Sequence, residues 1–288
     1  MNILPLPLFN KPTIAPSRST SRSIWQPKFR AFRGLPLDFW LEVSRFLPNQ
    51  DILNLSNCCK YFREILYKVE FTDEVMIDNI VDLPYFDSFV NVKYNSVAKF
   101  PAKLRFLNWN CEANFQHTLP DTLIGIKFGY NFCRSLPPIP DHITHLKFGY
   151  KSTQRISGNL PKKLVYLKLG PWFHESLPRL PNTLKYLILR NYRKQLPALP
   201  DSLISLELGN DYKQSLPPLP KSLISLKVGN YYDQVLSSLP KSLKYLSLGD
   251  NYDCRDDISS YYETIGSCHY FPPLRFSQLQ EPEMEEVD

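Results

Sequence analysis

A chain of 288 residues with 43% hydrophobic residues and a formal charge of +6 holds enough apolar content for one or two folded domains, which excludes a wholly disordered protein. No run approaches the roughly 18 uninterrupted apolar residues of a membrane helix. The six cysteines form neither a CxxC pair nor a metal-type spacing with histidine, so no membrane span, disulfide framework, zinc site or cofactor is expected. The charge is divided into +6 over residues 1–34, −4 over 35–100, +10 over 101–253 and −6 over 254–288.

Residues 1–33 begin MNILPLPLF, which lacks a basic flank and is cut by Pro5 and Pro7, so it does not read as a secretory signal. The stretch is acid-free, rich in Arg and Ser and interrupted by prolines. A disordered basic arm is expected there.

Over residues 34–78 the apolar positions take helical spacing. Phe39, Trp40, Val43, Phe46 and Leu47 share one face. After a break at Pro48, where Asp51 is placed to cap a helix, Ile52, Leu55, Cys58, Cys59, Phe62 and Leu66 form a second. Two or three short amphipathic helices follow. They are too short to bury much apolar surface by themselves, so part of it is expected to serve a partner, or to cap the end of whatever follows. The segment resembles an F-box in its opening Leu35-Pro36, its apolar helix, the run Leu47-Pro48 to Asp51 and Leu53, and the closing Cys59, Lys60, Phe62 and Arg63. That resemblance implies docking on a Skp-type adaptor, which joins F-box proteins to a cullin ubiquitin ligase. Leu35, Pro36, Phe39, Val43 and Leu47 would be the adaptor-binding residues.

Residues 79–100, with Leu83-Pro84 and the run FVNVKY, read as a linker or a degenerate N-terminal coil. From there the chain repeats itself. Pro101, Pro120, Pro140, Pro161, Pro181, Pro200, Pro220 and Pro240 each open a unit whose typical form is P-x-x-L-x-x-L-x-L-G, followed by an aromatic and a later apolar residue, as in Leu203, Leu206, Leu208, Gly209, Tyr212 and Leu216; Asn110 and Arg190 replace the glycine in the units opened by Pro101 and Pro181. A period of about 20 residues marks a stacked solenoid. The L-x-L alternation is that of a short strand with one buried face, and the proline-rich return cannot be helical and is expected to run extended. One unit cannot bury its own apolar face, so stacking must supply the core.

The pattern resembles leucine-rich repeats and, more closely, FNIP repeats. The leucine-rich template also carries an asparagine, which Asn131 and Asn251 match; Glu112, Lys151, Trp172, Tyr192, Asp211 and Tyr231 stand there in other units. The expected fold is thus a small all-α F-box followed, over 101–253, by a leucine-rich-type solenoid of eight repeats. It would have one parallel β-sheet and proline-rich extended returns, and residues 254–288 would form a C-terminal cap and acidic tail.

Strand residues between the buried leucines should face outward. One row is Asn108, Lys127, Lys147, Lys168, Ile188, Glu207, Lys227 and Ser247; beside it run Phe106, Gly125, His145, Tyr166, Tyr186, Ser205, Ser225 and Tyr245. Lys127, Lys147, Tyr166, Lys168, Tyr186, Lys227 and Tyr245 are the candidate substrate-binding face, suited to an acidic protein segment, with the three tyrosines as anchors. The acidic residues from Glu281 to Asp288 offer a competing occupant in the same chain.

Nucleic acid is not the expected partner. Phe132, Phe173, Tyr212, Tyr232 and Tyr252 recur at one repeat phase and read as core rather than as a stacking platform. The five histidines belong to no catalytic or paired-ligand motif and no phosphate loop appears, so no catalytic, cofactor-binding or metal residue is assigned and the chain is not expected to be an enzyme. Together the resemblances imply the substrate-recognition subunit of an SCF-type ubiquitin ligase. It would act inside the cell, in cytoplasm or nucleus, or inside a host cell for a viral copy. A repeat scaffold or inhibitor that delivers nothing to a ligase is the alternative.

Overall fold

Each repeat makes two corners, and its proline opens the first. The Pro200 carbonyl accepts the Leu203 N–H at 3.0 Å, closing a four-residue turn, and the same bond forms at Pro101, Pro120, Pro140, Pro161, Pro181, Pro220 and Pro240, between 3.0 and 3.2 Å. Only the carbonyl is used at this position, so the N–H that proline lacks is not missed. The second corner opens at glycine. The carbonyls of Gly129, Gly170, Gly209, Gly229 and Gly249 accept the N–H of Phe132, Phe173, Tyr212, Tyr232 and Tyr252, which swings each aromatic ring back into the interior.

The computed structural model describes residues 35–58, 60–94, 99–109, 118–132, 138–151, 156, 160–236, 238–249 and 252. The expected basic arm over 1–33, the cap and acidic tail over 254–288, and Cys59, Glu112 and Asn251 lie outside them. Between the corners run the strands β1 (Val75–Met76), β2 (Asn91–Tyr94), β3 (Phe106–Trp109), β4 (Gly125–Phe128), β5 (His145–Lys147), β6 (Tyr166–Leu169), β7 (Tyr186–Leu189), β8 (Ser205–Leu208), β9 (Ser225–Lys227) and β10 (Tyr245–Ser247). They form one parallel sheet in chain order. Leu107, Ile126, Leu146, Leu167, Leu187, Leu206, Leu226 and Leu246 pair in register across it and are all buried. After the second corner the described return residues carry neither helix nor strand, as over 176–180.

Two further ladders tie coil to coil. Hydroxyls placed two residues after the opening proline donate to a leucine carbonyl of the preceding coil: Thr122 to Leu104, Thr183 to Leu164, Ser202 to Leu184, Ser222 to Leu203 and Ser242 to Leu223, at 2.7 to 2.8 Å. These satisfy carbonyls that the turn removes from the sheet. Inside, Phe173, Tyr192, Tyr212, Tyr232 and Tyr252 stack at 6.1 to 6.5 Å between centroids with nearly parallel planes, an offset arrangement that aromatic rings favour.

Tyr192 belongs to this column and not to the asparagine position expected for it. Its repeat is one residue shorter, and Asn191 takes up the difference with φ 55°, a left-handed conformation that asparagine tolerates. The Tyr192 hydroxyl accepts the Leu177 N–H of the preceding return at 3.1 Å.

Burial pushes the phenol of Tyr192 above its ordinary value, that of Tyr212 up to about 12, and that of Tyr232 further still. An unfolded tyrosine ionises near pH 10, so these groups give stability that is fully present below that pH. It is lost as the pH rises toward 12, because the unfolded chain sheds protons that the folded chain keeps. For Tyr212 the expected cost is about 1.4 kcal/mol per pH unit in that window. Urea unfolding between pH 9 and 12 should therefore show a falling midpoint, with a shallower fall in Tyr212→Phe; equal slopes would refute this assignment.

The N-terminal helices are α1 (Leu37–Ser44), α2 (Asn49–Cys58), α3 (Lys60–Arg63) and α4 (Ile65–Lys68). The Pro48 carbonyl accepts the N–H groups of Asp51 and Ile52, so Asp51 lies within the first turn of α2 rather than at its cap. A carboxylate there still favours the helix dipole. The last of these α-helices ends at Lys68, and a short 3-10 turn follows at Ile77–Asn79. Val75 and Met76 pair with Val92 and Lys93, so the sheet starts two strands before the first repeat. Phe62, Ile65 and Leu66 are buried in the same core as the solenoid leucines, and the Ser88 hydroxyl donates to the Leu66 carbonyl at 2.7 Å. The helices thereby close the N-terminal end of the stack.

Candidate functional site

Two surfaces stand out among the described residues. The first is on the helices. α3 and α4 bury Phe62, Ile65 and Leu66 against the solenoid and leave Tyr67 50% exposed, whereas Phe39 on α1 is 45% exposed and Phe46, in the turn after α1, is 86% exposed. Pro36 is exposed at the start of α1, and its carbonyl accepts the Phe39 N–H at 3.1 Å. Leu35 is half-buried and its carbonyl accepts the Tyr61 hydroxyl at 2.9 Å, which pins the entry of the chain to α3. Val43 is half-buried, and Leu47 packs on the core. Of the expected adaptor residues, Pro36 and Phe39 are the most accessible and Leu47 serves packing. Phe46 was placed on the apolar stripe but not among the adaptor residues, and it is the most exposed large apolar side chain described. Periodicity assigns a face; it does not say how much of that face the solenoid covers.

The second surface is the outer face of the sheet. Lys127, Lys147 and Lys168 are aligned on β4, β5 and β6, and these strands contain no carboxylate. Next in register come Ile188, Glu207 and Lys227. The Lys227 ammonium lies 3.3 Å from the Glu207 carboxylate. Asn108 is 6% exposed and donates to both oxygens of Glu74 at 3.0 and 2.8 Å.

The tyrosine row divides. Tyr245 is 42% exposed and Tyr186 is half-buried, but Tyr166 is only 7% exposed. Its ring stacks on His145 at 5.9 Å, and Tyr186 flanks it on the other side. Tyr166 is therefore largely covered by its neighbours, which strand alternation alone does not disclose. Burial also holds His145 below its ordinary value, so its ring adds no charge to the row at neutral pH.

A third set of residues escaped the repeat template. Tyr130, Tyr150 and Trp172 follow the glycine corners of three successive coils and are 51%, 45% and 45% exposed. Tyr130 and Tyr150 stack at 5.2 Å with an interplanar angle of 5°, and the Lys151 ammonium lies 5.7 Å from the Tyr130 ring centre. The signal was present as an aromatic just after Gly129, Gly149 and Gly170-Pro171.

Among the described residues no group of three or more potential metal ligands occurs, and no helix is long and apolar enough to cross a membrane. Family models match residues 32–74 to the F-box domain and residues 134–171, 176–211 and 212–251 to the FNIP repeat. Comparison with curated proteins gives no match. Among solved structures, the chain is similar to CroV588, described as a novel circular LRR protein, with 25% identity, 64% of this chain and 36% of that one covered, and a TM-score of 0.41. It is also similar to YopM from Yersinia enterocolitica WA-314, with 22% identity, 57% and 44% covered, and a TM-score of 0.39. The chain spans less than half the length of either structure.

Proposed function

Because this chain joins an F-box to FNIP repeats and so belongs to that family, we propose that it is the substrate-recognition subunit of an SCF-type cullin ubiquitin ligase. Its F-box, residues 34–78 in this reading, holds a Skp-type adaptor. Residues 79–100 connect it to eight repeats over 101–253 with extended proline-rich returns, and these hold a protein substrate. Residues 254–288 form a cap and acidic tail. The protein acts inside a cell and performs no chemistry itself; it raises the effective concentration of substrate beside the ligase.

The observation that carries this reading is the exposure of Phe39 on α1 and of Phe46 in the turn that follows it, within the residues matched to the F-box. A segment that served only as a cap would turn its large apolar residues inward, as Phe62 of α3 and Ile65 and Leu66 of α4 do. The seating of those two helices on the solenoid core favours a second reading, in which the segment is a cap and the chain a scaffold or inhibitor without ligase delivery. Capture of a purified Skp-type adaptor on the immobilised chain separates them. The unaltered protein is expected to retain adaptor, and the double variant Leu35→Ala, Pro36→Ala to retain at least about tenfold less, the loss expected when an anchor side chain and a chain-entry constraint go together. No capture by the unaltered protein would remove the ligase reading.

A further inference from the structure

We infer that the substrate segment is an extended stretch of polypeptide with two carboxylates four residues apart and a side-chain amide midway between them, bound across β7–β10 on the buried serines Ser205 and Ser225. This rests on the substrate-receptor reading for its biological sense, although the binding itself does not depend on the adaptor. The site starts from hydroxyls without a partner. Ser202, Ser222 and Ser242 each donate to a leucine carbonyl of the preceding coil at 2.7 Å. Ser205 and Ser225 lie instead on the outer face of the sheet and are only 4% and 7% exposed, yet neither hydroxyl bonds to another described residue. Asn108, a polar residue buried on the same face, is held by Glu74. Burying a hydroxyl unpaired is destabilising, and two of them adjacent in register form a polar floor that packing alone does not require.

The surrounding side chains set the size and charge of the ligand. Tyr186 pairs with Ser205 and Tyr245 with Ser225, so a tyrosine closes the floor at each end, three strand steps or about 14 Å apart. Lys185 and Lys244 stand beside those tyrosines, both exposed, and their ammonium groups pair with no carboxylate among the described residues. Between the lysines lie the half-buried Ile204 and Ile224. On the other flank Glu207 is engaged by Lys227 at 3.3 Å. The floor is therefore neutral and its two ends are cationic. An extended chain advances about 3.3 Å per residue, so residues i and i+4 stand about 13 Å apart and face the same way. Carboxylates at those two positions reach Lys185 and Lys244. The side chain at i+2 falls over the serine pair, where an amide donates to one hydroxyl and accepts from the other. Single-stranded nucleic acid fits less well, because it follows a continuous cationic groove and Ile204 and Ile224 interrupt one here.

The test is fluorescence anisotropy of a labelled seven-residue peptide with glutamate at its second and sixth positions, asparagine at its fourth and alanine elsewhere, titrated with the full chain. Binding is expected, weakening as salt rises. The double variant Ser205→Ala, Ser225→Ala should lose about tenfold, as the removal of two hydrogen bonds implies, and Lys185→Ala, Lys244→Ala at least about threefold. Ser225→Tyr, which fills the floor with the residue that stands in the next coil, should lose at least about tenfold. Lys221→Ala, on the first corner, should change affinity by less than about twofold. The serine variant also has a readout without ligand. Removing hydroxyls that have no partner should leave Tm unchanged or raised, whereas Ser202→Ala, which loses its bond to the Leu184 carbonyl, should lower it. Circular dichroism establishes that each variant is folded. No binding to the unaltered chain, equal affinity for a peptide with leucine at the fourth position, unchanged affinity in the serine double variant, or a Tm loss in it as large as that of Ser202→Ala would overturn the inference. Tighter binding of a single-stranded oligonucleotide with the same residue dependence would do so too. Loss of adaptor capture with peptide binding intact would instead remove only the ligase reading.

Discussion

Tyr212→Ala is expected to lower the stability of the folded chain by about 3–5 kcal/mol, the range for truncating a buried aromatic side chain. Tyr212 is fully buried, and its ring stacks between Tyr192 at 6.5 Å and Tyr232 at 6.1 Å. Removing it therefore opens a cavity that spans the contacts of two neighbouring coils. Collapse around it is restricted, since the sheet and the hydroxyl ladder hold the coil spacing. Tyr212→Phe keeps the stack and loses the bond from its hydroxyl to the Ser215 carbonyl at 3.2 Å, for a cost nearer 1 kcal/mol.

In a stacked array, stability passes from neighbour to neighbour, so the alanine variant should also uncouple the end of the solenoid from its beginning. All four tryptophans, Trp25, Trp40, Trp109 and Trp172, precede Tyr212 in the chain. Far-ultraviolet circular dichroism should then fall at lower urea than tryptophan fluorescence. Coincident transitions with a loss below about 1 kcal/mol would contradict the column as a main support of the later coils.

Gly229→Ala is expected to cost about 1–3 kcal/mol, as overpacking does when the neighbour cannot yield. A Cβ built at Gly229 would stand 2.5 Å from the Asn210 nitrogen and 2.5 Å from the Gly209 carbonyl carbon. Both are backbone atoms of the preceding coil, so relief requires the coils to separate and not merely a rotamer change. The requirement for glycine here is close approach. A lower Tm for Gly229→Ala, with little change for Lys221→Ala on the exposed first corner, is the expected pattern, and equal Tm values for both variants would refute the contact.

The rows of the sheet were legible because a two-residue alternation leaves few choices of facing, and Leu206 and Leu208 fix it for their coil. Alternation gives direction, however, and not exposure. Tyr166 points outward as expected yet is covered by His145 and Tyr186, neighbours that only stacking brings together. Tyr192 was misplaced for a related reason. A one-residue contraction of the corner is absorbed by one left-handed residue, Asn191, and spacing does not say which residue will absorb it.

The hydroxyl ladder was also written in the chain, as the Thr or Ser before the leucine in PNTL, PDSL and PKSL. Its purpose appears only when the coils stack and Ser202 meets the Leu184 carbonyl at 2.7 Å. At the helices, the F-box resemblance identified the segment. The division of labour within it, with Phe62, Ile65 and Leu66 packed on the solenoid and Phe39 and Phe46 left open, depends on burial that no local pattern encodes.

Calorimetric titration of a purified Skp-type adaptor into the unaltered chain tests the ligase reading most directly. The account predicts saturable binding of one adaptor per chain, reduced at least about tenfold by Phe46→Asp, because a charge cannot enter an apolar interface unpaired, with the circular dichroism of the solenoid unchanged. No detectable binding to the unaltered chain, or binding indifferent to Phe46→Asp, would contradict it.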